Sequence, residues 1–182
     1  MKRVLLIGLL MLVACQKQAE QSSSASENII SLPDDSTPQF LNSEEYAQLD
    51  LPFSEAVRVG NILYLSGNIG IVPGKIELVP GGVVAETRQT MENIKTTVER
   101  FGSSMDHVFK CTVFMADNAE RAQINKIYSS YFPENPPVRS GVGSSGLALG
   151  ARVEIECIAT LPGNWRQQAE KIRSPGSRRP FL

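Results

Sequence analysis

Apolar and polar positions change their pattern twice along the chain. Val4–Val13 is a short apolar run behind Lys2 and Arg3. Residues 16–50 show little apolar periodicity, with a short helix expected near Ser43–Leu49. From Leu51 to Leu161 the pattern is that of a packed domain. Ser54–Val59 alternates, Gly60-Asn61 is a turn signal and Ile62–Ser66 is apolar again, which predicts a hairpin. Pro73-Gly74 marks a further turn, a short strand is expected at Lys75–Val79, and Gly81-Gly82 breaks the chain. Positions 84, 91, 94, 98 and 101, with Thr87, form one stripe of a helix over Val84–Phe101, stopped by Gly102. Val108–Met115 is β-branched and aromatic and reads as a strand. Asp117 or Asn118 caps a second helix through Tyr131, which Pro133, Pro136 and Pro137 end. Val138–Ser144 and Ala151–Leu161 are the last strands.

This order predicts an α+β two-layer sandwich, a mixed six-stranded sheet with two helices on one face. The strand around Arg152–Cys157 separates its residues cleanly. Val153, Ile155 and Cys157 share an apolar face, and Arg152, Glu154 and Glu156 share the other. The charged face needs water, a partner or a ligand, because a lone buried carboxylate is costly.

The N-terminus reads as an address. Lys2, Arg3 and the apolar run suit a signal peptide and are too short to span a bilayer as a helix. Leu12-Val13-Ala14-Cys15 resembles the bacterial lipobox, in which the cysteine is lipidated and becomes the first mature residue. The alternatives are an ordinary secretory signal cut elsewhere and a mis-assigned start. The lipobox reading divides the chain into a signal peptide (1–14), a lipidated Cys15 with a flexible tether (15–50), a folded domain (51–161) and a basic disordered tail (162–182). Several acyl chains make a durable membrane anchor. The expected location is the periplasm-facing cell envelope, and Gln16 after the cysteine favours the outer membrane. The tail is either solvated or an electrostatic contact for anionic headgroups.

Composition narrows the chemistry. A formal net charge of -1 gives no field that would draw the protein onto nucleic acid. The single histidine, His107, and three cysteines have no metal-ligand spacing, so no metal is expected. Cys111 and Cys157 lie in apolar strand-like segments and are expected as free buried thiols, on strands not taken to be adjacent. Pro137-Val138-Arg139-Ser140 places an arginine fork at the start of a strand, where rigid backbone can aim it at a carboxylate. Taken alone, such an arginine is more often a surface residue.

Four segments carry a resemblance to a known family: PFSEAVRVGNILYLSG at 52–67, TRQTMENIKTTVERFGSSMDHVFKCTVFMAD at 87–117, NKIYSSYFPENPPVRS at 125–140 and GARVEIECIATL at 150–161. In order and spacing they resemble the RidA (reactive intermediate deaminase A, or YjgF) family. The resemblance implies a chorismate-mutase-like fold and a homotrimer with ligand clefts between subunits. It implies hydrolysis of enamine/imine intermediates of amino acids to 2-keto acids and ammonia, without a cofactor. Arg139 matches the family's carboxylate-binding arginine and Glu154 the glutamate that positions the attacking water. Ser66, Asn125, Phe53 and Ser140 fall on substrate-binding positions.

The sequence also departs from the family. Phe53 stands where active deaminases usually carry tyrosine, and phenylalanine cannot donate a hydrogen bond. Gly141 stands where cysteine is frequent, Asn68 where glutamine is common, and Gly143-Ser144-Ser145-Gly146 replaces a bulkier, more acidic stretch. Two functions are therefore carried forward: an imine deaminase, and a small-carboxylate binding protein of the envelope that does not turn its ligand over.

Overall fold

A computed structural model describes residues 37–163. The expected signal peptide, Cys15 and most of the basic tail lie outside the described residues. Among those described, no helix is long and apolar enough to cross a membrane.

The strands are β1 (Gln39–Leu41), β2 (Ala56–Val59), β3 (Ile62–Leu65), β4 (Asn68–Ile69), β5 (Val108–Met115), β6 (Val138–Gly143) and β7 (Val153–Thr160). The helices are α1 (Glu44–Ala47), α2 (Gly82–Arg100) and α3 (Arg121–Ser129). One sheet runs β1-β2-β3-β7-β5-β6, with β4 also on β7. Only the β5–β6 pair is parallel. The sheet is thus mixed and the architecture is the expected α+β sandwich, with seven strands rather than six.

The added strands correct the expected organisation. Lys75–Val79 does not join the sheet. It folds back as a loop with a lone Ile71–Leu78 bridge, tied by Val72 N–H to Glu77 O and Val79 N–H to Gly70 O, both 2.9 Å. Within the expected tether Gln39–Leu41 instead forms β1, while α1 falls where a short helix is expected near Ser43–Leu49. The anchor is Glu55, buried although charged. Its Oε1 accepts from Arg100 Nη1 at 2.7 Å and from the Thr97 hydroxyl at 3.0 Å, and its Oε2 accepts from Ser43 N–H at 3.0 Å. Its own N–H donates to Asn42 Oδ1 at 2.7 Å. A buried carboxylate needs such partners, and these also hold the N-terminal segment on the domain.

The core lies between the sheet and α2 with α3. Leu63, Val113, Met115, Val153, Ile155 and Ala159 of the sheet meet Met91, Ile94 and Val98 of α2 and Ile124 of α3. The α2 stripe starts at Val83, which is buried, while Val84 is 41% exposed. Thr87 and Thr90 are fully buried because their hydroxyls donate to Val83 O (2.6 Å) and Glu86 O (2.8 Å), one turn back. Gly102, at φ 88°, ends the helix as expected. Asp117 caps a short 3-10 turn, accepting from Ala119 N–H at 2.8 Å, before α3 begins at Arg121.

The cysteines correct a second expectation. Because β7 is inserted between β3 and β5, Cys111 and Cys157 stand directly opposite each other on the helix side and form a disulfide. Their strands are adjacent, so they are not free thiols.

Candidate active site

Sheet parity sorts the predicted site residues into two groups. Glu154 pairs with Phe114 across β5, and Phe114 pairs with Val142 of β6. These residues share the sheet face that no helix covers. Arg139 pairs with Cys111, whose side chain points to the helix side. Within one copy the Glu154 and Arg139 side chains therefore leave opposite faces of the sheet.

The Glu154 group sits beside an irregularity. From Tyr64 to Asn68 the chain takes four steps while its β7 partners, Ile158 to Ile155, take three. The extra residue makes a β-bulge at Leu65–Gly67, a feature common next to active sites. Ser66 lies on it, its hydroxyl donating to Ser54 O at 2.6 Å. Gly67 lets the Glu154 side chain press against the backbone. A Cβ at 67 would stand 3.0 Å from Glu154 Cδ and 3.2 Å from Cγ. Glu154 opens into an apolar cleft of about 370 Å³, walled by Leu49, Leu51, Phe53, Ile69, Ile76 and Leu149 among others, and among the described residues it is the only charged group lining it. Burial, with a smaller effect from Glu156, holds its carboxyl above the ordinary carboxylate range. Tyr46 of α1 lines the same cleft, edge-on to Phe53 with ring centroids 6.4 Å apart. Leu149 takes a left-handed conformation at the rim, φ 57°.

The Arg139 group lies along β6, which is exposed throughout its length. The Arg139 guanidinium lies over the Tyr128 ring, 4.8 Å from its centroid, a cation–π contact. Tyr128 is 5% exposed, and its hydroxyl has no hydrogen-bond partner among the described residues. Burial pushes that phenol up to about 12, with Arg139 pulling the other way. Asn125 precedes Tyr128 by three residues on α3 and so shares its helix face. Ser140 falls on the other side of β6, where Lys110 Nζ donates to its hydroxyl at 3.0 Å. The structure thus brings Arg139 to Tyr128, with Asn125 on the same face of α3, and Glu154 to Phe53 and Gly67. It does not bring the two groups together, and Ser140 lies on the Glu154 face without lining its cleft.

Residues the sequence reading passed over are Gly67, Tyr46, Leu149, Tyr128 and Arg121. Only the SG pair at 66–67, inside a quoted motif, hinted at the first. Arg152 points away from both groups, binding Glu120 through Nε and Nη2, each at 2.9 Å from Oε2. Among the described residues no group of three or more His, Cys, Asp or Glu could hold a metal ion.

A family model described as endoribonuclease L-PSP matches residues 47–161. The chain belongs to that family, which is the RidA/YjgF family. β1 and most of α1 precede the matched segment. Protein DfrA of Myxococcus xanthus, a relative of this family member, is 38% identical over 121 residues, 65% of this chain and 92% of that protein. The mouse 2-iminobutanoate/2-iminopropanoate deaminase is 40% identical over 108 residues, 59% of this chain and 80% of its own. Among solved structures, the E. coli yjgF gene product superposes with a TM-score of 0.62 at 30% identity, covering 67% of this chain and 98% of that one. E. coli TdcF with bound serine gives a TM-score of 0.57 at 33% identity, covering 60% and 88%.

Proposed function

We propose that this RidA/YjgF family member hydrolyses 2-imino acids, the reactive intermediates of amino-acid breakdown, to 2-keto acids and ammonia. The observation that carries the reading is the division of the site. A carboxylate clamp at Arg139 and a raised-pKa carboxylate at Glu154 leave opposite faces of one sheet, so they converge only between copies. A closed ring of copies, each giving its Arg139 edge to the next one's Glu154 cleft, unites them. A homotrimer is the ring the family resemblance implies. The activity carried by the mouse relative's name and the amino acid bound to TdcF support the same substrate class.

The chemistry needs few groups. Arg139 holds the substrate carboxylate by two parallel N–H donations and fixes C2 in place. Glu154, ionised, accepts a proton from a water as that water attacks C2 of the iminium. That proton then passes to the amino nitrogen; Glu154 takes the remaining hydroxyl proton as the C–N bond breaks with its electron pair on nitrogen, the 2-keto acid and ammonia form, and the proton leaves with ammonia as ammonium, which returns Glu154 to its ionised state. A carboxyl raised toward neutrality is a better acceptor than an ordinary one.

The envelope location belongs to the same proposal. A buried disulfide persists in oxidising compartments and is rare in reducing ones. Cys111–Cys157 therefore supports a periplasm-facing domain, held by lipid on Cys15. One observation favours the second reading, carboxylate binding without turnover: Phe53 brings no donor into the cleft. The family description names an endoribonuclease. Against RNA cleavage, the only histidine is hydrogen-bonded to Ser104 at 2.8 Å and lines neither half of the site.

The test mixes two dead variants. Arg139→Ala and Glu154→Gln each remove one half of every cleft. Hybrid rings made by co-expression regain about one quarter of wild-type ammonia release, because each cleft draws its halves at random from two neighbours. No recovery, with an active wild type, would place the site within one copy. A wild type that binds 2-oxobutanoate but releases no ammonia from 2-iminobutanoate would leave the binding protein.

A further inference from the structure

Arg139 is not the only cation on its side of β6. Residues 139 and 141 share the helix-facing side, one pleat repeat or roughly 7 Å apart. Gly141 has no side chain, and the Arg121 guanidinium occupies the space: a Cβ at 141 would stand 2.9 Å from Arg121 Nη1 and 3.8 Å from its Cζ. Arg121 is the first residue of α3. A cation there opposes the helix dipole, which favours anions at an N-terminus.

No local carboxylate explains its position. Arg121 Nη2 donates to Asn118 Oδ1 at 3.1 Å, a neutral partner. Glu120 and Asp117, its nearest acids in sequence, serve Arg152, at 2.9 Å and 3.9 Å. Arg100 and Arg152 are ion-paired to carboxylates, whereas among the described residues no such pair is seen for Arg121 or Arg139. Two guanidinium groups are therefore held along one strand face against their mutual repulsion. Beneath that face is the buried Tyr128 hydroxyl, which has no hydrogen-bond partner among the described residues. A buried donor left unmade is unfavourable unless something completes it.

We propose that Arg121 is a second substrate-binding group, and that the site takes 2-imino acids bearing a second carboxylate. One carboxylate lies on Arg139 and the other on Arg121, above the space opened by Gly141. The inference rests on Arg139 holding the first carboxylate, as in the deaminase reading. Substitution of Gly141 by a larger residue would occupy the ground on which the Arg121 head rests, so glycine at 141 and arginine at 121 act as one device.

Titration calorimetry of the full chain with two product acids tests it. Wild type is expected to bind 2-oxoglutarate at least about tenfold more tightly than 2-oxobutanoate, because a second charge-assisted pair is added. Arg121→Gln should bring that ratio to within about twofold of one, and Arg121→Lys should retain part of it. Equal affinities in wild type overturn the proposal, as does a preference that survives Arg121→Gln. Dissociation of the assembly by Arg121→Gln on sedimentation also overturns it, since Arg121 would then serve a neighbouring copy. If 2-oxobutanoate binds through Arg139 without any dicarboxylate preference, only this inference falls. If neither acid binds wild type, the deaminase reading falls with it.

Discussion

Glu154 and Arg139 leave opposite faces of one sheet, and their surroundings differ as much as their charges. Glu154 stands in an apolar recess pressed against Gly67, and burial lifts its carboxyl above the usual range. Arg139 lies on an exposed edge strand, its cation over an aromatic ring. The difference matches the roles proposed for them, Glu154 as base and Arg139 as clamp. A base must be tuned, and desolvation tunes it. A clamp must keep its charge and reach outward, and an arginine on an edge strand does both. The recess is built largely by residues before 80 and the ledge by residues after 120, so the halves can be attacked separately.

The largest effects come from removing either group, and they should differ in kind. Glu154→Gln keeps the shape of the recess and removes the base. Its kcat should fall by roughly 10²–10⁴-fold with KM little changed. Arg139→Ala removes positioning, so kcat/KM should fall by a similar factor with a strong rise in KM. Steady-state ammonia release from 2-iminobutanoate reads both. Matching KM changes in the two variants would break the division of labour.

Next in size is the disulfide beneath the ledge, where Cys111 pairs with both Cys157 and Arg139. The double variant Cys111→Ala/Cys157→Ala should lose about 2–4 kcal/mol in denaturant unfolding. Wild type under strong reductant should move the same way, and thiol titration after non-reducing denaturation should find neither cysteine free. Because the loss acts on the whole sheet, it should lower stability without separating KM from kcat as the site variants do.

What the sequence disclosed, and what it hid, follows the range of the interactions. Elements with a clear period of their own were legible: the β2–β3 hairpin, α2, α3, β5, β6 and β7. β1 was not, because the three residues Gln39–Leu41 are too few to show a period and Phe40 is exposed; only pairing with β2 makes it a strand. Thr87 was placed in the stripe by its spacing, but Thr90 reaches the core through a hydrogen bond to Glu86 O that a hydrophobicity pattern does not record. The cysteine pairing depended on β7 lying next to β5, which no local pattern contains. In the site, Arg139 and Glu154 were legible through the family motifs. Their separation onto two faces required the strand register. Arg121 was hidden because its meaning depends on the side chain missing at Gly141, a contact made between a helix and a strand.

Gly67→Ala sharpens the recess side alone. The new Cβ would meet the Glu154 carboxylate, whose flexible end can yield only by turning from the bulge. A kcat loss of about tenfold is expected, roughly 1.4 kcal/mol of transition-state stabilisation. The affinity for 2-oxobutanoate should change far less, since Arg139 lies on the other face. An equal loss of affinity would mean that the halves are not independent.

The smallest effect is also the most specific to the recess. Glu156 stands two residues from Glu154 on the same face, and its charge is the lesser of two causes that raise the Glu154 carboxyl. Glu156→Gln removes a like charge, so the Glu154 pKa should fall, while burial still keeps it above the ordinary value. The acid limb of kcat/KM should then move to lower pH by less than about one unit. Stability should follow with a definite sign. With its folded pKa raised, Glu154 binds its proton more tightly in the folded state than in the unfolded chain. Its contribution therefore declines as pH rises from the ordinary carboxylate value through the raised one. Glu156→Gln should shrink that decline, which denaturant midpoints measured across the acid range would register. An acid limb that stays fixed would assign the whole shift to desolvation. One that moved to higher pH would mean that Glu156 does not act on Glu154 as a negative charge, and that the recess is tuned by a group from the neighbouring copy.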